Sequence, residues 1–479
     1  MNKASGGTVR LGPGIYQGGA VINKAVRIVG DGPLGQVMIQ SEGKEGLSVR
    51  SKGVFVQNVL FMSNGIGELP AVSVADGAEL EMDTVKIASG SAVGVSVAGN
   101  SSFKALGCTF NATNGAGLRI SQQAHASLTQ CTFSDAKTGL AVSNAGVADL
   151  HACAFERLGD SDTSGAIITI AGDKTQVTGE DCHFNGNGGG VSASDNASIV
   201  LGKCTFKDNA KLSRGGPTGG VFVLRNGAHG ELRDSSFTDG IPYAVNVMSA
   251  ATLVMENTDV SGARTAAVAI GEQNGSPAKA QIKQSHFSRS AVGIGVFGGS
   301  SAEISDSECR ENNEGMVVMD KGSRATLTKT SLTGNRDHGL YVYGEAEADA
   351  ADSTIQGNAR GAQSGAERKG AVPGGTVVLE RCRVANNHVF GVGAAAKSQL
   401  ILNSVTFEAN GKTNVHRESG AVIQTDGAEG SASEAASSAS PADDTAEHQS
   451  SGHRNKHPRR QQTNDDDARR IIRHFFPRP

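Results

Sequence analysis

Leu128-Thr129-Gln130-Cys131-Thr132-Phe133 is one copy of a phrase that recurs along most of this chain. An apolar anchor is followed by a small residue three positions later and a bulky one five positions later. Leu201/Cys204/Phe206, Leu232/Ser235/Phe237, Ile282/Ser285/Phe287, Leu327/Thr330/Leu332 and Leu379/Cys382/Val384 repeat it about every 22 to 23 residues. A fixed period of that size marks stacked units, each burying its apolar face against its neighbours. A second phrase follows the first in each unit, as in Gly117-Leu118-Arg119-Ile120, Gly139-Leu140-Ala141-Val142 and Gly339-Leu340-Tyr341-Val342-Tyr343. Alternation places Leu340 and Val342 inward and Tyr341 and Tyr343 outward. Asparagines at 312–313, 335, 358 and 386–387 sit between the phrases, where Asn tolerates left-handed backbone and can stack in ladders.

Composition agrees with many tight turns around a narrow core. The 479 residues hold 64 Gly, no Trp and only 4% aromatics. The net charge of -4 gives no global argument for nucleic acid or a membrane surface. No apolar run approaches the roughly 20 residues that span a bilayer. Cys108, Cys131, Cys153, Cys182, Cys204 and Cys382 share one slot of the repeat, Cys309 takes the bulky slot, and Ser or Thr fill the small slot elsewhere. A slot shared by Cys, Ser and Thr calls for a small buried side chain, and no pair has zinc-finger spacing. The thiols therefore read as reduced core residues. With no apolar signal region at Met1–Gly7, the chain reads as cytoplasmic unless a segment precedes it.

The opening narrows the fold. Gly6-Gly7-Thr8-Val9-Arg10-Leu11-Gly12-Pro13-Gly14-Ile15-Tyr16, then Val26-Arg27-Ile28-Val29-Gly30-Asp31-Gly32, resembles the first coil of the pectin-lyase-like, right-handed parallel β-helix superfamily. The resemblance implies an all-β, single-stranded right-handed solenoid. About fourteen coils fit between residues 50 and 410, a rod on the order of 65 Å long. Residues 1–415 form the β-helix, and 416–479 read as a disordered tail. Family members usually carry a capping helix before this opening. Only Met1–Ser5 precede it here, so an uncapped end should expose apolar core. Within the tail, 466–476 have helical spacing, with Ile471, Ile472, Phe475 and Phe476 on one face as a docking helix.

Function is less legible. Enzymes of this superfamily act on acidic polysaccharides and related glycans. Asn257-Thr258-Asp259 matches the first polygalacturonase string, but Thr258 falls in the small core slot and no partner strings follow. The pectate-lyase strings and the epimerase D-P-H-D are absent. The nearest cluster to a lyase or C5-epimerase site is Arg336, Asp337, His338 and Tyr341, with His338 or Tyr341 as base or acid and Arg336 opposite a uronate. A second feature is a column of apolar residues on the outer face of the later coils: Phe222, Leu224, Met248, Phe297, Met319, Tyr341 and Tyr343. An exposed apolar stripe marks an interaction surface. Two readings therefore stand. The first is a non-catalytic binding or scaffold module for protein or glycan, using the stripe. The second is a polysaccharide lyase or C5-epimerase-like enzyme. Self-association through the stripe or the uncapped end fits the first. No metal or cofactor is expected; Asp160 with Asp162 is the only tempting calcium pair. Four overlong coils, at 158–164, 209–218, 272–279 and 360–374, are where a solenoid places insertions, with Lys211, Arg214, Glu367, Arg368 and Lys369 on two of them.

Overall fold

In the computed structural model the chain winds as a right-handed parallel β-solenoid. Its described residues are 6–63, 69–90, 93–112, 114–159, 166–209, 219–238, 243–365, 374–426 and the short strand Glu434–Ala436. Every turn gives one strand to each of three parallel sheets. The first sheet has eighteen strands, from Gly7–Leu11 to Val422–Asp426, and the second has seventeen, from Gly14–Gln17 to Thr406–Glu408. The third begins at Ala20–Ile22 and includes Thr413–Arg417. That makes about seventeen turns, more than the fourteen counted between 50 and 410. The earliest coils lack the full phrase, and the ladder runs past 415 to Asp426. At a strand spacing of about 4.8 Å the rod is on the order of 80 Å long.

The recurring phrase is a corner. Leu128 lies in a first-sheet strand, paired with Leu150, and Phe133 lies in a second-sheet strand, paired with Phe110 and Phe155. Between them Gln130 takes left-handed backbone (φ 53°), as do Ala152, Asp181 and Lys203 at the same position in other coils. One left-handed residue is enough to turn the chain from one sheet to the next. The small slot follows that turn. Cys131 is fully buried, and where Ser takes the slot its hydroxyl accepts a backbone N–H from the preceding coil, as Ser235 does from Cys204 (3.1 Å). All seven cysteines are free and buried, and burial, helped by the nearby carboxylates of Glu308 and Asp352, holds the Cys309 and Cys382 thiols above the usual range. Thr258 is likewise buried, so the Asn257-Thr258-Asp259 string is part of this corner.

Two ladders run along the interior. Phe110, Phe133, Phe155, Phe184, Phe206 and Phe237 stack ring on ring, with centroids 4.3–4.9 Å apart. Asn312, Asn335, Asn358 and Asn387 form a buried polar ladder, in which each Oδ1 accepts a backbone N–H from the coil before. The asparagines do stack, but left-handed backbone falls beside most of them, at Glu311, Gly334, Gly357 and Asn386. The glycines that open the second phrase follow from this ladder. A Cβ on Gly315, Gly339 or Gly361 would lie 2.7, 2.8 and 2.9 Å from the Nδ2 of Asn335, Asn358 and Asn387. In the first coil Val9, Ile15 and Val21 are 47%, 64% and 51% exposed.

The apolar stripe is corrected by the register. Phe222 pairs with Val245 and Leu224 with Val247, so both point into the core and are 0% exposed. The overlong coil before them shifts the alternation by one, and the outward residue there is Val223. Met248 and Met319 do lie outward but are buried. Phe297 packs against a small outer cluster of Tyr243, Ala266 and Ala269. Among the described residues, the large exposed apolar side chains lie elsewhere. Asp160, Asp162, Lys211, Arg214, Glu367, Arg368, Lys369 and the tail-helix residues Ile471, Ile472, Phe475 and Phe476 lie outside the described residues. Among the described residues no helix is long and apolar enough to cross a membrane.

Candidate functional site

Each third-sheet strand of the later coils carries one outward residue just before the glycine required by the asparagine ladder. In three consecutive coils that residue is charged or titratable: Glu314, His338 and Arg360. The strands Glu314–Met319, His338–Tyr343 and Arg360–Ser364 are adjacent, and His338 registers directly on Arg360. Parallel stacking therefore converts a separation of more than twenty residues into side-chain contact. Asp337 joins them from the corner just before its strand.

The cluster is tightly bonded. Glu314 Oε2 accepts hydrogen bonds from the backbone N–H and from Nδ1–H of His338, both at 3.1 Å. Asp337 Oδ1 lies 3.6 Å from the same Nδ1 and accepts a hydrogen bond from the Arg360 guanidinium. His338 is 3% exposed, while the side chains of Arg360 and Asp337 are partly open to solvent. Burial opposes the charged form of His338, but the hydrogen bond and charge of Glu314, with Asp337 behind it, leave its pKa above the ordinary value. The Tyr341 ring lies flat on the imidazole (4.4 Å, 9°) and Tyr343 tilts against Tyr341 (4.7 Å, 40°). Tyr343 donates its hydroxyl to Met319 Sδ at 3.1 Å, and burial pushes its pKa up. Next to Tyr341 in register is Gln363, which is fully buried.

Asp337, His338 and Tyr341 thus meet as the sequence implied. Arg336 does not join them. It is exposed and makes no side-chain hydrogen bond or ion pair among the described residues, and Arg360 from the next coil stands by Asp337. Glu314 and Arg360 escaped the sequence reading because they belong to neighbouring coils. The signal was present in the column of residues preceding Gly315, Gly339 and Gly361. Phe222 and Leu224 belong to the core, and Tyr341 and Tyr343 are the stripe residues that enter the cluster.

The described residues hold one group of His and acidic side chains with convergent ligand atoms: Glu314, Asp337 and His338. Other ion pairs among the described residues, such as Arg381 with Asp352 and Arg157 with Asp135, join neighbouring coils on the solvent-exposed surface, where such pairs contribute little.

No curated protein matches the chain. Among solved structures, a mannuronan C-5 epimerase A-module from Azotobacter vinelandii is 14% identical, covering 88% of this chain and 91% of its own, with a TM-score of 0.31. A family 6 alginate lyase is 9% identical, covering 87% and 82%, with a TM-score of 0.36. A periplasmic alginate epimerase is 10% identical, covering 84% and 77%, with a TM-score of 0.32. These likenesses are weak, and the assignment rests on sequence: the right handed beta helix region pattern matches residues 70–228 and 219–371. With most of its coils matched by that pattern, and three parallel sheets wound as it implies, the chain belongs to the right-handed β-helix family.

Proposed function

We propose that this solenoid acts on an acidic polysaccharide by removing the proton next to a uronate carboxylate, as a lyase or C5-epimerase, on the third-sheet face around Tyr341 and Arg360. The substrate class is the one on which enzymes of this superfamily act. The observation that carries the reading is the convergence of Arg360, Asp337, His338 and Tyr341 from neighbouring coils. Abstraction of such a proton moves charge onto the carboxylate, so a fixed cation must meet it. Arg360, oriented by Asp337, is placed for that role. Tyr341 is a partly exposed proton-transfer group, and its ring is held flat by His338. His338 is too buried to reach a sugar ring and acts as a positioning residue.

That same burial favours a second reading, a glycan-binding surface without chemistry. One experiment separates them. The full chain is incubated with a panel of acidic polysaccharides in deuterated water. Ultraviolet absorbance reports unsaturated uronic ends, and NMR reports deuterium at C5. Either signal, lost in Tyr341→Phe and Arg360→Ala and retained in Arg336→Ala, supports the enzyme. Binding of a polysaccharide with neither signal establishes the binding module and refutes the enzyme.

A further inference from the structure

We infer that Glu314, Asp337 and His338 form a binding site for one divalent cation of the zinc, cobalt and manganese class. The inference rests on ligand geometry alone and not on the glycan reading. One candidate ligand atom from each residue lies within 4.8 Å of the other two. His338 Nδ1 is 3.1 Å from Glu314 Oε2 and 3.6 Å from Asp337 Oδ1. Two ligands bonded to a metal at about 2.1 Å, at octahedral to tetrahedral angles, stand roughly 3.0–3.4 Å apart. Both pairs that include His338 therefore stand near the separation that two ligands of one ion take, and Glu314 and Asp337 lie within 4.8 Å of each other. The ion takes the place of the proton on Nδ1.

The surroundings are built for ligands rather than for a loose acidic patch. Glu314 is buried, and the backbone N–H of His338 fixes its carboxylate. Arg360 donates to Asp337 Oδ1 and so fixes that carboxylate beside His338. Tyr341 fixes the plane of the imidazole. With two carboxylates, one guanidinium and a neutral imidazole, the cluster carries a formal charge of -1, which a dication reverses. Asp337 is partly open, so entry is from solvent and coordination positions are left for water or an incoming carboxylate. An imidazole with two carboxylates suits borderline metals, whereas calcium takes six to eight oxygens. The two overlapping proposals are compatible, since a cation here would sit beside Arg360.

The test is a titration of the chelator-stripped full chain with cobalt(II), read by its visible d–d absorption, with zinc(II) displacement followed by calorimetry. One equivalent of cobalt is expected to bind, displaced by zinc. Glu314→Gln and His338→Ala each lower the affinity by at least about tenfold. His125→Ala, which removes an exposed histidine paired with Asp149, leaves it unchanged. If His338→Ala misfolds, the near-isosteric Glu314→Gln decides. The inference is overturned if no cobalt binds, or if binding is the same in wild type and Glu314→Gln. The titration contains no glycan, so its failure leaves the proton-abstraction reading standing. A protein that binds cobalt yet neither cleaves nor exchanges any of the polysaccharides would sink the proton-abstraction reading alone.

Discussion

Replacing Asn335 with Asp should make the stability of this solenoid steeply pH-dependent. Asn335 is buried in the middle of the asparagine ladder. Its Oδ1 accepts the Asn312 N–H at 3.0 Å, and its Nδ2 donates to the Cys309 carbonyl at 3.2 Å and to Asn358 Oδ1 at 2.9 Å. In Asn335→Asp the first bond survives, but the former Nδ2 position becomes an oxygen facing two acceptors. When ionised it is repelled by both and stripped of water. When protonated it can donate to one of them. Burial and acceptor neighbours raise a carboxyl pKa by about 3 units or more above its unfolded value of about 3.9. A folded pKa raised in this way means the protonated form's stability is fully present below about pH 3.9. It is lost as pH rises through the folded value. At about 1.4 kcal/mol per unit, the variant should lose on the order of 4 kcal/mol between pH 4 and pH 7.5 beyond any change in the wild type. At pH 4 the deficit should be only the one missing hydrogen bond, about 1 kcal/mol. Asn335→Ala serves as the contrast. It leaves the Asn312 N–H and the Cys309 carbonyl without partners, costing about 1–3 kcal/mol each at both pH values. Urea unfolding at the two pH values measures the differences. Hydrogen exchange at Asn312 should accelerate in Asn335→Ala but not in Asn335→Asp at low pH. An Asn335→Asp deficit that is equal at pH 4 and pH 7.5 would refute the donor assignment on which this rests.

Two further outcomes test the interior. Phe155→Ala removes a ring stacked between Phe133 and Phe184, at 4.8 and 4.9 Å, and should cost about 3–5 kcal/mol in urea unfolding; a loss below about 1 kcal/mol would mean the stack is not closely packed. The seven buried thiols should resist a water-soluble disulfide reagent in the native protein and all react after unfolding, so rapid native labelling of Cys131 or Cys153 would contradict their place in the core.

The repeat was legible because its chemistry is local. The anchor, the small slot and the bulky slot of Leu128, Cys131 and Phe133 each demand a residue type whatever the neighbouring coils hold. Counting was less secure where the phrase is weak, as in the coils before Val54 and after Phe407. Alternation failed at Phe222 and Leu224 for a definite reason. An overlong coil precedes them, and pairing with Val245 and Val247 resets which residues face inward. A period-two pattern carries no memory across an insertion of unknown path. The apolar character of the stripe was read correctly, but Met248 and Met319 are buried, and sequence does not say what an outward residue meets.

The candidate site divides along the same line. Asp337, His338 and Tyr341 were found because they lie within five positions of one another. Glu314 and Arg360 complete the cluster from coils on either side. The sequence by itself determined a right-handed parallel β-helix, the inward core of each corner and the role of its cysteines, since these depend on spacing within one coil. Only the tertiary structure decided that Arg360 and not Arg336 stands by Asp337, and that His338 lies buried on Glu314. The reason is that a parallel solenoid brings side chains together across coils, at separations set by insertions whose path the period does not record.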